Sequence, residues 1–183
     1  MAPNAPVPIV KNQGTFFPHL YERAKNGNAT DIKKFLSDYI ELLFFELKVD
    51  ARLMWEEPNA LYPFPGVHRF SITYKNNVTA YGAVSASENL DDLKRAESER
   101  LKRQVVPYTV RRTGYIIVTA KNDGLKAEFA QVFDKPMVDP ATGQLTDEPS
   151  WPVVSGVKTL DFEVAADEHM FKELLSHCIL FAH

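Results

Sequence analysis

Apolar residues recur every three or four positions from Ile32 through Phe35, Leu36, Tyr39, Ile40 and Leu43 to Leu47, the spacing that turns one face of an α-helix toward a core. Thr30 stands where it can cap that helix, and Asp31 complements the positive end of its dipole. Leu42, Phe44 and Phe45 fall off the stripe. The second half of the helix is therefore apolar around most of its circumference and is expected to be covered on two sides, with Phe44 and Phe45 facing a partner. A shorter helix is predicted over Phe16 to Lys25, with Pro18 in its first turn and Gly27 after its end. A third runs from Ser87 to Arg103. It has acids at its start, bases at its end and few apolar positions, which marks a surface helix. The last begins near Asp167 and aligns Phe171, Leu174, Leu175 and Cys178.

Between the helices the period changes to two. Arg52 to Trp55 reads as a short strand, followed by a loop from Glu57 to Gly66 with three prolines. Arg69 to Lys75 and Val78 to Val84 flank Asn76-Asn77, which suits a two-residue type I′ hairpin turn. In that register Tyr74 faces Thr79, Ile72 faces Tyr81 and Phe70 faces Ala83, giving one bulky and one small face. Val106 to Lys121 and Leu125 to Phe133 form a second hairpin around Asn122-Asp123-Gly124, and Val157 to Val164 adds a strand. The expected fold is α+β, a mainly antiparallel sheet built from two hairpins and a last strand with helices packed on it. Two segments stand outside this plan. Residues 1–15 form a Pro-rich arm preceding a single domain over 16–183, and 134–156 form a long loop or arm with four prolines.

Composition adds limits to this plan. The chain has 183 residues, 45% of them hydrophobic, and a net charge of -3, so it suffices for one core without a metal or disulfide staple. It has one cysteine, which excludes an intrachain bridge. No apolar run approaches the ~18 residues that span a bilayer, and the N-terminus lacks the basic and apolar regions of a signal peptide. A cytoplasmic protein, or one assembled into a particle, is expected.

Charge is unevenly spread. From Lys94 to Arg112 seven bases stand against two acids, whereas Asp134 to Glu168 holds eight acids against two lysines. Complementary patches on one subunit suit head-to-tail association. Arg100, Arg103, Arg111 and Arg112 are the candidate partner-binding bases, and Trp151, flanked by Pro149 and Pro152, is the candidate aromatic anchor. The same basic segment admits a second use. Lys94, Arg95 and Lys102 could contact phosphates while Tyr108 and Tyr115 stack on bases, although the pI near 6.0 weighs against a nucleic-acid module.

The residues of covalent chemistry are less organised. Phosphate loops, dinucleotide fingerprints, zinc-protease helices and serine-hydrolase elbows are missing from the sequence. Cys178 sits in an apolar stripe, turned about 100° from His177, and reads as a buried thiol. His169, His177 and His183 lack the spacing of a helical metal site. Asp161 and Glu163 share one face if the strand continues through them, but the Lys that metal nucleases place two residues on is Ala165. Asp50, Glu56 and Glu57 near His68 are the remaining acid/base candidates, for a small hydrolase or metal-dependent enzyme. The expectation favoured by these features is a non-enzymatic structural or interaction subunit, for example of a viral or phage particle or another ring- or tube-forming machine. It needs no cofactor and binds other protein subunits, as a homo-oligomer or hetero-assembly.

Overall fold

In a computed structural model, residues 7–56, 66–86, 113–121, 124–134 and 152–181 are described. Three α-helices among them, α1 (Phe17–Asn26), α2 (Ala29–Leu47) and α3 (Ala165–Phe181), pack on one open six-stranded sheet. Its strands are β1 (Ala51–Trp55), β2 (Val67–Tyr74), β3 (Asn77–Ser85), β4 (Thr113–Lys121), β5 (Gly124–Asp134) and β6 (Pro152–Asp161), neighbours in that same order. All pairs are antiparallel except β3 with β4, so the α+β reading holds. A parallel pair needs a crossover. The chain between Ser85 and Thr113 supplies it, and the helix expected over Ser87–Arg103 lies outside the described residues.

The β2–β3 hairpin turns one residue earlier than the Asn-Asn pair suggests. Lys75 and Asn76 are the two left-handed residues, at φ 49° and 63°, and Asn77 already pairs with Tyr74. Type I′ turns need positive φ at both central positions, and here a lysine accepts it. A bulge comes next. Ile72 pairs with Ala80 and Thr73 with Val78, leaving Thr79 extra, its hydroxyl donating to the Ile72 carbonyl at 3.2 Å. Phe70 consequently lies opposite Gly82, where the Asn-Asn register predicts Ala83, so large side chains meet small ones on the same face.

That face carries the core. Phe70, Ile72, Ala80, Val84, Ile116, Val118, Leu125, Ala127, Phe129 and Leu160 join the buried stripes of all three helices in one cluster. A smaller cluster on the other face holds Ala83, Tyr115 and Ile117 beside Val67 and Tyr81, and none of the described helical residues belongs to it.

Further boundaries differ from expectation. Asn28, not Thr30, caps α2, its side chain accepting from the Thr30 and Asp31 amides. Gly124 is already strand, paired with Lys121. β5 reaches Asp134 and β6 begins at Pro152, both inside the loop expected over 134–156, of which 135–151 lie outside the described residues, and β6 ends at Asp161 rather than running to Val164. Of the N-terminal arm, residues 7–15 are described. Pro8 and Val10 are buried, and Ile9–Lys11 form a 3-10 turn against the body.

Candidate functional site

The densest polar cluster lies where the N-terminal turn, α1 and the turn from β6 to α3 converge. Asp161 ends β6, and its carboxylate accepts the Glu163 amide at 2.8 Å, an Asx-type closure that aims Glu163 back at α1. Glu163 there accepts from the Tyr21 hydroxyl at 3.0 Å and pairs with Lys25 and Lys11, each at 3.3 Å. The Tyr21 oxygen in turn accepts the Leu125 amide at 3.1 Å, which pins α1 to the start of β5. Lys126 closes the circuit on Asp161. One turn along α3, Glu168 is buried, accepts the Ile9 amide at 2.9 Å and pairs with Lys172 at 3.2 Å.

The electrostatics result from these contacts. Burial alone would raise the Glu163 carboxyl, but the Tyr21 hydroxyl and the Lys11 and Lys25 ammoniums outweigh it and hold it below the usual carboxylate value. Burial pushes the Tyr21 phenol well above its ordinary value despite the Leu125 amide, with the Glu163 charge adding to the rise. At neutral pH, then, an anion is clamped by a neutral phenol and two cations. The arrangement anchors backbone and holds three elements together, and each carboxylate in it is already engaged.

A second polar group joins α2 to the edge strands. Trp55 donates its indole N–H to Ser37 at 2.9 Å, Lys33 lies 5.0 Å over the Trp55 ring, and His68 Nε2 is 3.3 Å from the Thr30 hydroxyl. Burial lowers the His68 imidazole, and the nearby Lys33 charge lowers it further.

The acid/base candidates do not come together. His68 turns toward α2, whereas Glu56 continues β1 beside Arg69, the next residue along β2 and therefore on the opposite face. Asp50 stands at the other end of β1, roughly 20 Å away at about 3.3 Å per residue, and Glu57 lies outside the described residues. Asp161 and Glu163 are separated by the end of β6 and are held by lysines. No group of three or more His, Cys, Asp or Glu among the described residues is arranged to hold a metal ion. His169 pairs with Glu173 along the exposed side of α3.

Of the partner-binding candidates, Phe44 is buried in the core and Phe45 is 81% exposed, so the cover expected on both sides of α2 stops short of Phe45. Arg100, Arg103, Arg111, Arg112 and Trp151 lie outside the described residues, as do Lys94, Arg95, Lys102 and Tyr108. Tyr115 is buried in the smaller cluster and offers no open ring face for a base to stack on.

Cys178 is 2% exposed against Gly114, where an added Cβ would stand 2.8 Å from its Sγ, and burial pushes its thiol up to about 12. A thiol so held reacts slowly. In native protein at pH 8 a disulfide reagent is expected to label Cys178 about a hundredfold more slowly than in denaturant, because reaction needs both the thiolate and access. Comparable rates would show that this end of α3 opens readily.

No family model, curated protein or solved structure matches the chain.

Proposed function

We propose that the protein is a structural or interaction subunit of a larger assembly, with Phe45 as one of its contact residues. The observation that carries this reading is the exposure of Phe45 on a helix whose other large aromatics, Phe35, Tyr39 and Phe44, are all buried. Full burial of a Phe is worth about 1.5–3 kcal/mol, and folding of this chain leaves nearly all of that unrealised at position 45. Half-buried Leu42, one turn earlier on the same face, widens the apolar surface, and Glu41, Glu46 and Lys48 around it are polar, as in the centre and rim of a contact patch. The uneven charge along the sequence supports the same reading, since complementary patches orient subunits.

Light scattering at low and high salt tests it. The wild type is expected to exceed the 20.7 kDa of one chain or to form a complex with a partner, and Phe45→Glu is expected to lower that mass while leaving the unfolding midpoint of the monomeric chain unchanged. A wild-type monomer at every concentration and salt, with no partner captured, overturns the proposal. An assembly unaffected by Phe45→Glu removes Phe45 from its interface.

A further inference from the structure

We infer that Pro8–Lys11 is a releasable strap, locked onto the body by the ionised carboxylates of Glu163 and Glu168 and freed, while the rest of the fold stays intact, when those carboxylates are neutralised.

The geometry sets the strap apart from the residues that lead into α1. Residues 12–16 are all exposed, and their hydrogen bonds are local: Asn12 accepts the Gly14 amide on its side chain at 3.0 Å and the Thr15 amide on its carbonyl at 3.0 Å. The buried part is short, Pro8 and Val10; Val10 belongs to the core cluster and half-buried Ile9 packs against it. Both polar ties between strap and body end on acids of one segment. The Ile9 amide donates to Glu168 at 2.9 Å, and the Lys11 ammonium lies 3.3 Å from Glu163. Bonds to ionised acceptors are roughly twice as strong as neutral ones, so the hold weakens sharply when the acceptor loses its charge.

The surroundings of the two acids decide when that happens. Glu163 faces Tyr21 and Lys25 from α1, Lys11 from the strap and Asp161 from β6; Asp161 is in turn tied to Lys126 and, through its amide, to Asp167. Glu168 faces Lys172 on its own helix, the strap amide, and Tyr39 of α2, whose phenol is raised by burial first and then by the charges of Glu168 and Glu46. A carboxyl held low in the folded state stabilises fully above its ordinary value of 4.5 and gives up that contribution as pH falls through the folded value. The Glu163 tie therefore holds at neutral pH and is given up as pH falls below the ordinary carboxylate value and through the folded one. Release of the strap withdraws Val10 from the core and uncovers Glu168. Salt acts in the same direction at Lys11, whose side chain is half exposed.

Hydrogen exchange reads this directly, because the Ile9 amide is itself one of the ties. In wild type the protection factor at Ile9 is expected to fall at least tenfold between pH 7 and pH 3.5, while the Ile40 amide inside α2 keeps its own. At pH 7 Glu168→Gln is expected to lower Ile9 protection by a similar factor. Lys11→Gln, at an exposed position that leaves the core untouched, is expected to lower it twofold to fivefold. Loss of Ile9 protection only in step with Ile40, or no change at Ile9 in either variant and across the pH range, overturns the inference.

Discussion

Gly82→Ala is expected to destabilise the protein by about 3 kcal/mol or more, read as a lower urea midpoint at unchanged slope, because overpacking a filled core forces neighbours off their rotamers or the backbone off its path. Gly82 lies in β3 between β2 and β4. A Cβ built there would stand 2.2 Å from Cζ of Phe70 and 2.5 Å from the Ile116 carbonyl oxygen. Neither neighbour is free to retreat. Phe70 is fully buried and packs its ring 5.1 Å from that of Trp55, and the Ile116 oxygen belongs to the backbone of the adjoining strand. Shortening Phe70 separates the two obstacles. Phe70→Leu in the Gly82→Ala background is expected to recover part of the loss, and the two changes to be clearly non-additive, since they share one contact. Additive losses would mean that the Ile116 carbonyl alone resists the methyl group.

The same glycine marks where sequence pattern stops short. Alternation over Phe70–Tyr74 and Val78–Val84 identifies both strands, but pairing depends on which two residues turn. Asn76-Asn77 looks the better turn on intrinsic preference, but the chain uses Lys75-Asn76, which together with the extra residue at Thr79 sets Phe70 over Gly82 and Ile72 over Ala80. Tertiary fit overrides a small local preference, and the bulge at Thr79 absorbs the odd residue. The α2 stripe is a stronger signal and is legible almost residue for residue, since from Ile32 to Leu43 every member is buried. Its cap is not, because Asn28 and Thr30 are both good caps and only the folded chain shows which oxygen receives the Thr30 and Asp31 amides.

The polar cluster is legible in its chemistry but not in its partners. Asp161 and Glu163 stand out as paired acids, yet what holds them comes from Lys11, Tyr21, Lys25 and Lys126, far away along the chain, and strand alternation carries no information about contacts of that range. The proline content of the N-terminus suggests an extended arm. Proline fixes φ and disfavours helix, which is compatible equally with a free arm and with a strap lying on a surface. The signal that distinguishes them is Ile9-Val10, which packs on the core, followed by Lys11. For the contact surface, periodicity alone could not tell Phe44 from Phe45, since both lie off the main stripe; packing buries the first and leaves the second in water.

Phe35→Ala is expected to cost about 3–5 kcal/mol, the range for removing a buried aromatic whose surroundings cannot close the gap. Phe35 is fully buried in α2 and stands at the centre of the aromatic core. Its ring stacks on Tyr39 at 5.8 Å, and meets the edges or faces of Tyr21 at 5.7 Å, Phe162 at 5.4 Å and Phe17 at 6.5 Å. Those four rings belong to α1, α2 and the turn leading into α3, so one side chain joins two helices to that turn. Collapse into the gap is blocked from several sides. Tyr21 is tied at its hydroxyl to Glu163 and to the Leu125 amide, and Phe162 lies between Asp161 and Glu163, both fixed by ion pairs. Phe35→Leu retains most of the apolar volume and is expected to cost less than half as much, because the loss scales with the space left unfilled. Phe45→Ala on the same helix supplies the contrast. That side chain is already in water, so truncating it is expected to change stability by no more than about 0.5 kcal/mol. Should Phe35→Ala and Phe45→Ala destabilise the isolated chain equally, Phe45 would be packed against its own chain and would not be free to meet a partner.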